Sequence, residues 1–176
     1  MLTRREFFGT GLGALVAARA IAMPGDRMRY AISGHQFRTI LPHPESGIKM
    51  AGRYGYHGLE PFQGDMPHYL TQPPDVFKAL LDEAGLALCT IGSGGQYLDP
   101  ARLQETIESN AARARFIVHF GCRHLKVNLS GRIGSENLSL ENGRILARHL
   151  NEVGKRTADV GIKFAFHPHA WTLVER

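Results

Sequence analysis

One stretch of the chain indicates the fold more clearly than the rest, and it reads Gly161-Ile162-Lys163-Phe164-Ala165-Phe166-His167-Pro168-His169. Glycine is typical just past the end of a helix, and residues 162–167 have the composition of a buried parallel strand. His167 and His169 lie two positions apart, so in an extended chain both imidazoles point to one face. The stretch therefore predicts a helix end, a strand and a pair of metal-type ligands in immediate succession.

The same succession of helix, glycine and strand recurs towards the N-terminus. Short apolar runs predict parallel strands at residues 29–33, 57–61, 87–92, 124–129 and 162–167. Longer amphipathic runs predict helices at residues 48–54, 76–84, 102–120 and about 140–160, each followed by a glycine at position 55, 85, 121 or 161. This alternation is typical of an α/β protein whose parallel strands are joined by crossover helices.

The helix starts are also marked. Ser46, Asp75 and Asp99 precede the first three helices, and their side chains are suited to accept hydrogen bonds from the free amides of a first helical turn. Five parallel strands with four crossover helices form either an open doubly wound sheet or part of an eight-stranded barrel. Composition and periodicity do not decide between these two architectures.

Residues 1–22 have the pattern of a targeting segment, which is removed before the fold is considered. Arg4 and Arg5 are adjacent and precede a bulky apolar pair, and a short run of small residues follows. This twin-arginine (Tat) signal peptide predicts export to the periplasm through the Tat translocon, with cleavage after Ala20 or Ala22. The apolar run is shorter than the ~20 residues that span a bilayer, so we expect no stable membrane span after cleavage.

Residues 23–176 have the length and hydrophobic content of one globular domain. Removing the leader takes away three arginines and one glutamate, which lowers the formal charge from +5 to +3. Neither a block of basic residues nor basic residues interleaved with aromatic ones remain, so no nucleic-acid partner is expected. The two cysteines have no spacing typical of a metal site or a disulfide framework.

Polar residues at the carboxyl ends of the predicted strands are the first candidates for a binding site, because ligands collect there in both architectures. His35 follows the first strand, Glu60 lies on the second and Asn128 on the fourth. We expect all three to contact a small-molecule substrate. A carboxylate on an apolar strand needs a partner, so Glu60 bonds either a substrate hydroxyl or a group within the rim of the sheet.

The end of the fifth strand is the candidate metal site. Its predicted ligands are His167, His169 and Glu175, which follows the second histidine by six residues. Neutral imidazole and carboxylate suit manganese, zinc, cobalt and iron. Histidines two apart occur in many proteins, and the proline between them is equally compatible with a shaped loop. The location at a strand end favours the metal interpretation.

Three segments resemble the xylose isomerase-like TIM-barrel family, which holds sugar phosphate isomerases and epimerases, inosose dehydratase-like enzymes and endonuclease IV. Residues 55–60, Gly-Tyr-His-Gly-Leu-Glu, resemble the signature of its second strand. Residues 121–127, Gly-Cys-Arg-His-Leu-Lys-Val, resemble the segment that leads into its fourth strand. Residues 161–169 are similar to its fifth strand in the His-x-His variant, and the resemblance runs in order over residues 29–175.

The resemblance implies part of a (β/α)8 TIM barrel, truncated after its fifth strand, and a divalent metal ion (Mn, Zn, Co, Fe or Mg) at the barrel mouth. Family members hold the metal with a ligand from the fifth strand and with Asp, His and Glu from the sixth to eighth strands. His167 aligns with the position where many members have a metal-binding glutamate. His169 is the usual partner in the His-x-His subgroup, and Glu175 is the nearest carboxylate.

Three functions compete at this point. The first is metal-dependent isomerisation or epimerisation of a sugar or cyclitol. For this function both a monomer and a homo-oligomer stay open. The second is an inactive exported fragment or sugar-binding module, because the carboxylate pair that moves the proton in the family lies on later strands. The third is an endonuclease IV-like nuclease, which the export signal and the mild charge oppose.

Overall fold

The structure is a computed structural model that describes residues 28–38, 43–129 and 139–168. The predicted signal peptide, His169 and Glu175 lie outside the described residues. In the described part, six strands and five α-helices follow one another as β1 (Ala31–Ser33), α1 (Pro44–Arg53), β2 (Gly58–Glu60), α2 (Met66–Leu70), α3 (Pro74–Ala84), β3 (Ala87–Leu88), β4 (Ile91–Ser93), α4 (Leu103–Val118), β5 (His124–Val127), α5 (Leu140–Ala158) and β6 (Lys163–Phe166).

The strands pair in parallel, in the order β1-β2-β3 and β4-β5-β6. Short β3 and β4 are the two halves of the single strand predicted at 87–92, so all five predicted strands are present. The amide of Cys89 still bonds the carbonyl of Leu59 on β2, at 2.9 Å. The hydroxyl of Thr90 then donates to the carbonyl of His124 and accepts from the amide of Lys126 on β5. The Thr90 side chain, and not its backbone, therefore bonds β5 at this point. The backbone hydrogen-bond ladder is interrupted there, which divides the strand into β3 and β4.

The buried core lies between one face of these strands and the helices. Leu59, Leu125 and Val127 point to this side and are at most 1% exposed. Since successive strand residues face opposite sides, Glu60 and Lys126 point to the other side, which we name the open face. The predicted fold class, parallel strands with crossover helices, is confirmed.

The predicted helix ends are confirmed more fully than the predicted starts. Gly55, Gly85, Gly121 and Gly161 all have positive φ angles, between 67° and 81°, as a left-handed cap requires. The carboxylate of Asp99 accepts from the amide of Ala101 at 2.9 Å, as predicted.

Two predicted starts were wrong. Ser46 and Asp75 lie inside their helices, because α1 begins at Pro44 and α3 at Pro74. Proline is already set for the first helical position, so each helix gains residues upstream of the polar side chain expected to cap it.

Helix α2 was not predicted. It is a five-residue element held by Met66 and Tyr69, which are 0% and 3% exposed. Two apolar positions on one turn are too few to give a helical period in the sequence. No helix in the described ranges is long and apolar enough to cross a membrane.

Gly85 and Gly143 provide a matched test of the cap. An added Cβ at either position would meet nothing within 4 Å, but Gly85 has φ +67° whereas Gly143 lies within α5. We expect Gly85→Ala to lower the free energy of unfolding by about 1–2 kcal/mol, the cost of a left-handed residue with a side chain. Gly143→Ala should raise it by up to about 1 kcal/mol, since alanine favours helix. Urea unfolding of both variants checks this, and equal effects would contradict it.

Candidate functional site

An ion pair joins two strands on the open face. Glu60 ends β2 and Lys126 lies on β5, and the Lys126 ammonium contacts the Glu60 carboxylate. Their side chains are 21% and 25% exposed, so water screens the pair only in part. The strand formed by β3 and β4 lies between β2 and β5, so the pair reaches across about 10 Å of sheet.

Gly92 leaves room beside this pair. It is the register partner of Lys126 on β4. A Cβ built on Gly92 would lie 3.2 Å from both Cβ and Oε1 of Gln63. Gln63 begins the short helical turn after β2, and it therefore packs directly on the open face where Gly92 has no side chain.

Asn128 lies next to Gln63 at the end of β5. Its Nδ2 donates to Oε1 of Gln63 at 3.4 Å, and its amide bonds the carbonyl of Ser93. Oδ1 of Asn128 is buried and has no hydrogen-bond partner among the described residues. A buried acceptor without a donor is costly, so this oxygen is suited to accept from a bound hydroxyl.

His167 follows β6 beside Asn128. The amide of His167 bonds the carbonyl of Val127 at 2.8 Å, which continues the β5–β6 register by one residue and aligns His167 with Asn128. Alternation along β6 places His167 on the open face. We name the group formed by Glu60, Gln63, Lys126, Asn128 and His167 the strand-end site.

The predicted site residues are thus only partly brought together. Glu60, Asn128 and His167 lie in the strand-end site. His35 lies at the end of β1 in an exposed turn, and its ring meets the edge of Phe62 at a centroid distance of 5.5 Å. His169 and Glu175 lie outside the described residues.

Sequence reasoning missed Lys126 and Gln63. The sequence could have indicated Lys126, because a charged residue in an apolar strand needs a partner, and Glu60 is in the same situation. Gln63 gave no signal, since its place depends on how the chain turns after β2.

The described residues do not form a metal site by themselves. No group of three or more His, Cys, Asp or Glu side chains that could hold a metal ion occurs within residues 28–38, 43–129 and 139–168. His167 is the one predicted ligand among them, and the carboxylate of Glu60 on the same face of the sheet is paired with Lys126. These donors do not by themselves fit a divalent ion, which needs more ligands than one imidazole.

The profile of the xylose isomerase-like TIM barrel family matches residues 48–176. The chain belongs to this family. The barrel alternative is therefore correct, and the open doubly wound sheet is excluded. No curated protein matches the sequence.

Several solved structures have a fold similar to that of this chain. A probable 3-DHS dehydratase from Bacillus anthracis has a TM-score of 0.67 at 18% identity, over 82% of this chain and 54% of that chain. A sugar phosphate isomerase/epimerase from Parabacteroides distasonis has a TM-score of 0.65 at 16% identity, over 85% and 54%. A xylose isomerase-like TIM barrel protein from Mycobacterium smegmatis, in complex with magnesium, has a TM-score of 0.58 at 12% identity, over 78% and 54%. The chain spans about half the length of these proteins, so it forms part of the family's barrel.

The ion pair gives a prediction for stability. Lys126→Met leaves the Glu60 carboxylate partly buried without a cation, so we expect the free energy of unfolding to fall by about 1–3 kcal/mol. Adding Glu60→Gln to this variant should restore more than half of the loss, because the uncompensated charge is then removed. Lys163→Met, at an exposed lysine on β6, is the control and should change stability by less than about 0.5 kcal/mol. Denaturant unfolding that gives Lys126→Met the same small effect as the control would contradict the pairing.

Proposed function

We propose that this chain belongs to a divalent-metal-dependent enzyme that isomerises or epimerises a sugar or cyclitol by moving a proton next to a carbonyl. The observation that carries the proposal is the strand-end site. It collects a cation, a carboxylate and an unpartnered amide oxygen at the carboxyl ends of parallel strands, where TIM barrels bind their substrates. The family, and the sugar phosphate isomerase/epimerase among the structural neighbours, support the same class of reaction.

The strand-end site is suited to a substrate with several hydroxyl groups. Lys126 donates hydrogen bonds, Glu60 accepts them, and Oδ1 of Asn128 is a further acceptor held in place by Gln63. A sugar offers each hydroxyl as both donor and acceptor, so adjacent hydroxyls match a carboxylate beside an ammonium group. His35, in the exposed turn after β1, is also assigned to substrate binding. These residues bind and orient the substrate, and the carboxylates that move the proton are not assigned within them.

A metal ion would polarise the substrate oxygens and so acidify the proton next to the carbonyl. We assign His167, His169 and Glu175 as its ligands in this chain. The position of His167 on the open face beside Asn128 supports its assignment as a ligand. The magnesium complex of the structural neighbour supports a divalent metal in general. Three further properties are proposed from the sequence alone. They are export to the periplasm by the Tat translocon, removal of the leader by cleavage after Ala20 or Ala22, and homo-oligomerisation.

Metal analysis tests the ligand assignment. We expect the purified protein to carry a stoichiometric divalent metal ion and the double variant His167→Ala/His169→Ala to lose it. The double variant His68→Ala/His119→Ala removes two exposed histidines elsewhere and should keep the metal. Equal metal content in both double variants, or a wild-type protein that takes up no metal on dialysis against Mn²⁺ or Zn²⁺, would contradict the assignment.

Solvent exchange tests the reaction itself. Proton transfer next to a carbonyl should incorporate deuterium from D₂O into the sugar. NMR detects this incorporation in a panel of ketoses and their phosphates. We expect exchange with the full-length protein and a loss of at least about tenfold in kcat/KM for Asn128→Leu, which removes one hydrogen bond to the substrate. Lys163→Met is the control and should keep the wild-type rate.

Two other outcomes would change the proposed function. Stabilisation of the protein by a sugar without any deuterium exchange would indicate a sugar-binding module. Affinity for DNA that falls steeply with salt concentration would indicate a nuclease-like protein instead.

A further inference from the structure

A cavity of about 160 Å³ lies on the helix side of β2. It is bounded by the first turns of α1, by the turn after β1 and by the segment that leads from β2 into α2. Leu59 lines it, and Leu59 points away from the open face that carries Glu60. The cavity is therefore separate from the strand-end site, and the function proposed above makes no use of it.

One wall of this cavity contains a polar atom without a partner. Tyr69 lines the cavity and is 3% exposed. Its hydroxyl group is buried and has no hydrogen-bond partner in the described residues. The hydroxyl of a buried tyrosine usually finds a partner, so a bound group that can donate to it would complete the site.

One carboxylate lines the cavity and a second lies near it. Asp65 lines it, and Glu45 in the first turn of α1 acts electrostatically on both Asp65 and Tyr69. Burial, followed by repulsion from Glu45, raises the pKa of Asp65, and the nearby His68 offsets this only in part. Burial and the two carboxylates likewise raise the pKa of Tyr69. The Asp65 carboxylate in the cavity wall therefore has a second carboxylate near it.

Basic side chains also line the cavity, but in the described residues they form no ion pair with either carboxylate. Arg38 and His43 line it, but the guanidinium group of Arg38 donates to the carbonyl of His35 at 2.7 Å. Among the described residues, neither Glu45 nor Asp65 forms an ion pair.

The other walls are largely aromatic and aliphatic. Phe37 and Phe62 line the cavity together with Tyr69. Aromatic rings beside carboxylates are typical of sites that bind organic cations, because the faces of the rings carry negative partial charge.

We propose that this cavity binds a small primary ammonium compound, whose N–H groups donate to the Tyr69 hydroxyl oxygen and to the Asp65 carboxylate. Its carbon chain lies between Phe37 and Phe62. A primary amine fits better than a quaternary one, because the unpartnered hydroxyl needs a hydrogen-bond donor that a quaternary ammonium lacks.

Titration of the full-length protein with n-propylammonium chloride, followed by NMR chemical shifts, tests the proposal. We expect saturable binding, with shifts centred on residues that line the cavity. The neutral isostere 1-propanol has the same number of heavy atoms and should bind at least about tenfold more weakly, since hydrogen bonds to a charged group contribute more than those between neutral groups. Tetramethylammonium should also bind more weakly than n-propylammonium.

Matched variants locate the site. Tyr69→Phe and Asp65→Asn should each weaken n-propylammonium binding by about tenfold. Tyr54→Phe and Asp75→Asn make the same changes at exposed positions and should bind like the wild type. Circular dichroism confirms that each variant is folded, and the Asp65→Asn result stands even if Tyr69→Phe does not fold. Three results would overturn the proposal. They are a lack of saturable n-propylammonium binding to the wild type, 1-propanol binding as tight as that of n-propylammonium, and equal n-propylammonium affinity in Asp65→Asn and Asp75→Asn.

Discussion

The strict alternation of side chains along parallel strands is the constraint on which the rest of the structure depends. Leu59 must enter the core if β2 is to be covered by helices, and this turns Glu60 to the opposite face. On β5, the burial of Leu125 and Val127 in the core likewise turns Lys126 to the open face. The burial of apolar residues thus positions the charged ones, and the ion pair between Glu60 and Lys126 follows from the order and register of the strands.

The same alternation separates two sites of different chemistry. The open face presents charged and amide groups at the strand ends, which suit the proposed polyhydroxylated substrate. The helix side of β2 contains a cavity whose lining includes Phe37, Phe62, Tyr69 and the carboxylate of Asp65. Leu59 and Glu60 are neighbours in the chain, yet each contributes to only one of these sites.

Features set by local chemistry could be predicted from the sequence, whereas features set by tertiary contacts could not. Glycine at a left-handed cap is a local requirement, so the ends of four helices were predicted correctly at residues such as Gly85 and Gly161. The break between β3 and β4 depends on a hydroxyl of Thr90 meeting β5, and α2 depends on the burial of Tyr69. Neither contact leaves a period or motif in the sequence. Glu60 was a candidate from its position at a strand end, but its partner on β5 becomes evident only once the register is known.

A crystal structure of the protein grown with Mn²⁺, with anomalous scattering recorded at the manganese edge, would show whether the strand-end site holds a metal ion. We expect a manganese ion, located by its anomalous peak, within bonding distance of the His167 imidazole on the face of the sheet that carries Lys126 and Asn128. We also expect Lys126 and Glu60 to remain close enough to share a hydrogen bond. A peak located elsewhere, or a His167 ring directed towards the helices, would contradict the proposed site.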